Sequence, residues 1–81
     1  MNMKIIKIYR YELEDGFFVE ISKSVEDNNF FDFYLFHIDY IIKDCIFSLK
    51  CKKEDFENLI LNNIDEYIEY YKKHYFDSEV D

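Results

Sequence analysis

The chain has 81 residues, of which nine are Phe and eight are Tyr, and its formal net charge is -8. This length predicts one domain with a modest core, and so many aromatic side chains exclude an acidic disordered chain. The negative charge disfavours direct binding to nucleic-acid phosphates and favours basic partners.

The first 16 residues lack the apolar segment and small-residue cleavage site of a secretory signal. No stretch approaches the roughly 20 apolar residues that span a bilayer. Two cysteines are too few for a disulfide scaffold. We therefore expect a cytoplasmic protein without membrane contact.

The first half of the chain predicts strands. Residues 3–13 are rich in β-branched and aromatic side chains and predict a first strand. Asp15 and Gly16 then form a hairpin signal, because Gly accepts the positive φ of a tight turn. Residues 17–23 alternate between apolar and polar side chains and predict a second strand.

A third strand is predicted over residues 30–42, which are apolar on both faces. This pattern suits a central strand covered on both sides, or one covered on its second side by a partner. Lys43 and Asp44 predict a tight turn before a fourth strand over residues 45–51, although residues 39–44 fit a loop or short helix as an alternative. On the fourth strand one side is predicted to carry Cys45, Phe47, Leu49 and Cys51.

From Glu54 onward, apolar residues recur at spacings of three and four, which predicts one helix over about residues 54–76. Residues 77–81 are predicted to fray. The element order ββββα predicts an α+β single domain over residues 1–81: a four-stranded antiparallel β-meander with one long C-terminal helix packed on one face. The predicted core consists of Phe17, Val19, Ile21, Phe47, Leu49, Phe56, Ile60, Ile64, Tyr67 and Tyr71.

The side of this helix opposite its apolar stripe carries only acids and amides over residues 55–69. Taken together, these acids and amides recur about once per turn, or every ~5.4 Å, near the spacing of phosphates along a nucleic-acid strand. Such a row is either a solvated helix face or a surface that binds the basic nucleic-acid groove of another protein. We name this row the acidic ridge, and it consists of Asp55, Asn58, Asn62, Asp65, Glu66 and Glu69.

A helix over residues 54–76 would be roughly 34 Å long, longer than a strand of seven or eight residues at roughly 25 Å. We therefore expect poorly covered aromatic side chains near its end, which are typical interface anchors: Tyr70, Tyr75 and Phe76. The alternative is that a long third strand covers them.

The chain carries few candidates for chemistry. His37 and Asp39 would share a face of a strand, but a metal site needs more ligands than these two. Cys45 and Cys51 lie six residues apart, roughly 20 Å on a strand, which is too far for a disulfide. We expect a partly buried imidazole near a strand end, two small core residues, and no catalytic, cofactor or metal site.

In size, charge and lack of catalytic motif, the chain resembles small phage anti-defence proteins, including anti-CRISPR proteins that imitate DNA. The resemblance implies a non-catalytic inhibitor whose carboxylates take the place of phosphates on a basic, nucleic-acid-binding effector. Two alternatives are an antitoxin or immunity protein that neutralises a toxin, and a structural homodimer that pairs through the uncovered face of the third strand.

Overall fold

A computed structural model describes residues 7–75 of the chain. Within this range the protein is α+β, with four strands followed by helical segments. The chain divides after Cys51 into two compact units, a sheet unit and a helical unit, each of which is described by itself. The predicted single domain and the predicted packing of helix on sheet stay predictions.

The sheet unit is a four-stranded antiparallel meander in the order β1-β2-β3-β4, as predicted. The second strand has the predicted bounds. The first is shorter than predicted, with residues 7, 8 and 13 outside it and residues 3–6 outside the described range. The strands are β1 (Tyr9–Glu12), β2 (Phe17–Lys23), β3 (Phe31–His37) and β4 (Lys43–Leu49).

The β1–β2 hairpin turns where Asp15 and Gly16 were predicted to form it. Both residues have positive φ, 58° and 85°, and the Leu13 amide closes the turn by donating to the Phe17 carbonyl at 2.8 Å. A Cβ atom on Gly16 would lie 2.9 Å from Nε2 of His37. Glycine is therefore required at this position both by backbone conformation and by the close approach of the imidazole ring.

One face of the sheet is buried at its centre, whereas Phe47 and Leu49 of β4, which were also predicted to be core residues, are half-buried. Phe17, Val19 and Ile21 of β2 lie at this centre, as predicted, directly opposite His37, Leu35 and Phe33 of β3. Phe33 and Leu35 are also fully buried, although the predicted core did not include them. The reason is that β3 is apolar on both faces, so its sequence does not show which face is inside. The other face is half-buried, and its central members are Phe18, Glu20, Ser22, Tyr34 and Phe36.

The third strand ends at His37, and residues 38–42 form a loop, so the predicted strand to residue 42 was too long. The predicted turn at Lys43 and Asp44 was also wrong, because both residues belong to β4. The fourth strand was predicted over residues 45–51 but ends at Leu49, so Cys51 lies outside it. The alternative of a loop is correct for residues 39–42. The Ile42 amide donates to the Tyr40 carbonyl at 2.9 Å and so forms a tight turn. This turn contains neither Gly nor Asn, the residues from which a turn is usually predicted.

A β-bulge interrupts the pairing of β3 with β4. Phe33 pairs with Phe47 and Tyr34 with Cys45, so Ile46 is the extra residue. Cys45 therefore shares the face of Tyr34 and is exposed, which corrects the prediction that it lies on the same side as Phe47. The extra residue reverses the alternation, as a bulge does.

The helical unit contains two α-helices, α1 (Phe56–Asn63) and α2 (Asp65–Tyr75), after a 3₁₀ turn over Lys53–Asp55. The prediction of one long helix was wrong. The Asn63 side-chain amide donates to the Leu59 carbonyl at 2.8 Å, and the Tyr67 amide donates to the Ile64 carbonyl three residues back. Asn competes in this way for backbone groups and is a weak helix former, which accounts for the break after Asn63.

Burial in the helical unit follows a spacing of four residues. Phe56, Ile60, Ile64 and Ile68 are at most 4% exposed. The first three were predicted, whereas Ile68 replaces the predicted Tyr67 and Tyr71, which are half-buried. Between residues 7 and 75, no helix has the length and apolar character needed to cross a membrane.

The glycine in the β1–β2 turn gives a direct test of this fold. We expect Gly16→Ala to lower the free energy of unfolding by about 1–3 kcal/mol, because it combines a positive φ with a clash against His37. Asp15→Asn is the matched control and should stay within about 0.5 kcal/mol, since Asn tolerates the left-handed region. Urea unfolding followed by circular dichroism measures both, and equal stabilities would contradict the account.

Candidate protein interface

Every described member of the acidic ridge is exposed. In the described part of the chain, Asp55, Asp65, Glu66 and Glu69 make no ion pair. Their charges are therefore not neutralised within this range by the protein's own lysines or arginines.

The break after Asn63 divides the acidic ridge into two parts. Asp55 ends the 3₁₀ turn and Asn58 and Asn62 lie on α1, whereas the three remaining acids lie on α2. With eight and eleven residues, the helices are only about 12 and 17 Å long instead of one rod of roughly 34 Å. The α1 part carries amides and the 59% exposed side chain of Leu61, so the charge is concentrated on α2.

The same break places Asp65 and Glu66 in the first turn of α2. Carboxylates at that end of a helix interact favourably with its exposed amide groups. Lys72, Lys73 and His74 occupy the last turn and complement the opposite end. Asp65 and Glu66 thus stabilise their own helix, a role that a single continuous helix would not give them.

The aromatic side chains near the end of α2 are exposed to different extents. Tyr70 is 56% exposed and Tyr75 37% exposed, while Phe76 lies outside the described residues. The Tyr70 ring lies against Tyr71 and His74, with centroids 5.2 and 4.2 Å apart. These ring contacts restrict Tyr70 before any partner binds, which lowers the entropic cost of using it as an anchor.

The ring of His37 is held by backbone groups from two different turns. Nε2 donates to the Asp15 carbonyl at 2.7 Å, and Nδ1 accepts from the Asp39 amide at 2.9 Å. The ring also contacts Phe17 edge-on, with centroids 4.7 Å apart. His37 and Asp39 are therefore linked through the backbone of Asp39, and the imidazole joins two loops, as a structural histidine does.

The half-buried face of the sheet is covered in part by its own side chains. The Arg10 guanidinium lies 3.8 Å from the centroid of the Phe18 ring, which stacks on Phe36 at 5.1 Å. Arg10 also pairs with Glu20 at 3.9 Å. The hypothesis of a homodimer through this face stays a hypothesis.

Beside these rings lies a surface pocket of about 260 Å³ lined by Ile8, Glu20, Ser22, Tyr34, Phe36 and Lys43.

Cys45 lies on this half-buried face near Asp32, whose carboxylate accepts from the Ser48 hydroxyl at 2.6 Å. Although the residue is exposed, partial burial of its thiol raises its pKa, and the Asp32 carboxylate adds to the effect. Burial likewise raises the pKa of Tyr34, with smaller contributions from Cys45 and Asp32. A thiol that stays protonated is a poor nucleophile.

No protein-family model matches the chain, and no curated protein or solved structure is significantly similar to it. Its function must therefore be argued from the charge, exposure and packing of its own residues.

The raised pKa of Cys45 predicts slow alkylation of the folded protein. In a Cys51→Ser variant at about pH 8.5, where roughly half of ordinary thiols are ionised, we expect Cys45 to react with iodoacetamide more slowly than in the urea-unfolded chain. The rate should rise at a higher pH in the folded protein than in the unfolded one. Identical pH profiles would show that Asp32 and burial have no effect.

The position of Asp65 and Glu66 predicts a contribution to stability. Replacing both with Asn and Gln should lower the free energy of unfolding by about 0.3–1 kcal/mol for each residue, because the first turn of α2 loses its negative charge. Glu69→Gln, which lies beyond this turn, should change it by less than about 0.5 kcal/mol. Thermal unfolding of the three proteins compares them, and a larger loss for Glu69→Gln would refute the role assigned to the helix terminus.

Proposed function

We propose that this protein is a non-catalytic acidic inhibitor that binds a basic, nucleic-acid-handling protein through α2. The observation that supports this proposal is the group Asp65, Glu66 and Glu69, which is exposed and makes no ion pair within the described residues, beside the restrained ring of Tyr70. We name these four residues the α2 patch.

The chemistry of the α2 patch suits a groove that normally holds phosphates. Carboxylates accept charge-assisted hydrogen bonds from Lys and Arg, as phosphates do. Asp65 and Glu69 lie four residues apart, about 6 Å along the helix axis. Since neither makes an ion pair within the described residues, binding a partner costs these carboxylates hydration but breaks no salt bridge there.

The partner's charge also sets the kinetics of such a complex. Opposite charge on the two surfaces accelerates encounter, and this effect falls as salt rises because exposed charges are screened. Tyr70 supplies what charge alone does not, namely a large apolar contact at the centre of the interface.

The proposed target is a nucleic-acid-binding defence effector in the bacterial cytoplasm, displaced from its nucleic acid by competition. This narrower proposal rests on the resemblance to phage anti-defence proteins of the anti-CRISPR kind. An antitoxin that neutralises a toxin would use the same charges, and the two differ in whether the captured partner binds nucleic acid.

Neutralising the α2 patch tests the proposal. We expect Glu66→Gln with Glu69→Gln to weaken partner binding about tenfold or more, since the hydrogen bonds to Lys or Arg lose the negative charge of their acceptors. The control is Glu26→Gln with Asp27→Asn, which changes the net charge equally in the β2–β3 turn. The amide introduced at position 27 keeps an oxygen that can accept from the Asn29 amide, as Asp27 does now at 2.9 Å.

Capture from a bacterial lysate, followed by mass spectrometry, supplies the partner. The purified partner is then loaded with a fluorescent DNA or RNA oligonucleotide, and displacement by each variant is measured at roughly 0.05 and roughly 0.5 M salt. Displacement by the parent and the control, but weakly by the double variant, is the expected result. A partner that binds no nucleic acid, or equal displacement by both variants, would overturn the proposal.

A further inference from the structure

The loop between β3 and β4 exposes two large apolar side chains. Ile38 is 70% exposed and Ile41 is 98% exposed. Single exposed apolar residues are common on protein surfaces and need no explanation. Here two isoleucines lie in one five-residue loop, residues 38–42, which we name the isoleucine loop.

The isoleucine loop is held in place at both of its ends. Its first residue, Ile38, donates its amide to the Gly16 carbonyl at 3.0 Å, and the Asp39 amide donates to the His37 ring at 2.9 Å. Its last residue, Ile42, is only 4% exposed. A β-branched side chain on a loop fixed in this way loses little freedom when a partner covers it.

Acidic side chains lie on the loop, on the turn beside it and on the adjoining strand ends. The β1–β2 turn and the β3–β4 loop lie at the same end of the sheet, because Phe17 at the start of β2 pairs with His37 at the end of β3. The turn therefore lies beside the loop. Residues 12–16 and 38–44 together carry five acids and one base, Lys43. Because Glu12 pairs with Arg10 at 3.9 Å, the net charge of the region including Arg10 is -3. All five acids are exposed. We name them the acidic rim, and they are Glu12, Glu14, Asp15, Asp39 and Asp44.

An apolar centre within a charged rim is the usual composition of a protein interface. The negative charge of the acidic rim determines which kind of partner can cover the isoleucine loop. A second copy of this chain would place its own acidic rim against this one, which is repulsive, whereas a basic surface is attracted.

We propose that the isoleucine loop docks a basic protein segment in which apolar side chains stand between Lys or Arg residues. The apolar side chains cover Ile38 and Ile41, and the flanking cations meet the acidic rim. This inference goes beyond the proposed function, because it concerns the sheet unit and does not require the α2 patch.

Isoleucine methyl groups give a direct readout of the docking. The full chain, labelled at its Ile δ1 methyls, is titrated with a synthetic peptide that has Leu and Phe at its centre and Lys on both sides. We expect the Ile38 and Ile41 signals to shift in a saturable way. Ile8, which is 55% exposed but lies outside the loop, is the internal control and should shift far less.

Two further peptides separate the contributions of charged and apolar side chains to binding. A peptide with Glu in place of Lys, and a Lys peptide with Ser in place of the apolar residues, should each bind at least about tenfold more weakly. Equal shifts from the Glu peptide would overturn the charge argument, and equal shifts from the Ser peptide would overturn the apolar one. No shift at Ile38 and Ile41, or shifts that depend on protein concentration without peptide, would overturn the proposal as a whole.

Variants then assign the effect to the named residues. We expect Ile41→Ser to weaken the peptide about tenfold, and Glu14→Gln with Asp39→Asn to weaken it about threefold or more. Glu26→Gln with Asp27→Asn carries the same change in net charge and should bind as the parent does. Glu66→Gln with Glu69→Gln should leave the Ile38 and Ile41 shifts unchanged, so failure here and failure of the proposed function are distinguishable.

Discussion

The sheet unit depends on a buried imidazole that bridges two turns distant in sequence. Since the Asp39 amide donates to Nδ1 of His37, Nε2 carries the hydrogen that it donates to the Asp15 carbonyl. The ring occupies the space that a side chain on Gly16 would need. The β1–β2 turn, the His37 ring and the loop after β3 therefore depend on one another. Because both ring nitrogens of His37 are hydrogen-bonded, this buried polar side chain stabilises that end of the sheet.

Short sequence patterns predicted the parts of the fold that depend on interactions between residues close together in the chain. The alternation of β2 and the Asp15–Gly16 turn were confirmed because burial on one face and positive φ each leave a clear pattern. The bulge at Ile46 left no such pattern, since the residues around it alternate as a regular strand would. The break after Asn63 was signalled only by weak helix formers, which the long apolar stripe outweighed.

The same distinction applies to the candidate interface. The exposure of Glu69 and Tyr70 was predictable from helical periodicity. The second role of Asp65 and Glu66 was not, because it arises only where a second helix begins. For the isoleucine loop, the sequence offered a loop only as an alternative, because residues 38–42 continue the apolar run of β3. The strand ends at His37 because its ring bonds to the Asp15 carbonyl, 22 residues away, a contact that local sequence does not show.

The bulge also has a consequence for β4 as the last strand of the sheet. A strand at the margin offers unpaired amides and carbonyls to any extended chain, which is a route to aggregation. The extra residue at position 46 disrupts the regular spacing that an added strand would need. Lys43 and Asp44 put charge at the start of the same margin. The irregularity that concealed the placement of Cys45 therefore also makes this side of the sheet a poorer template for an added strand.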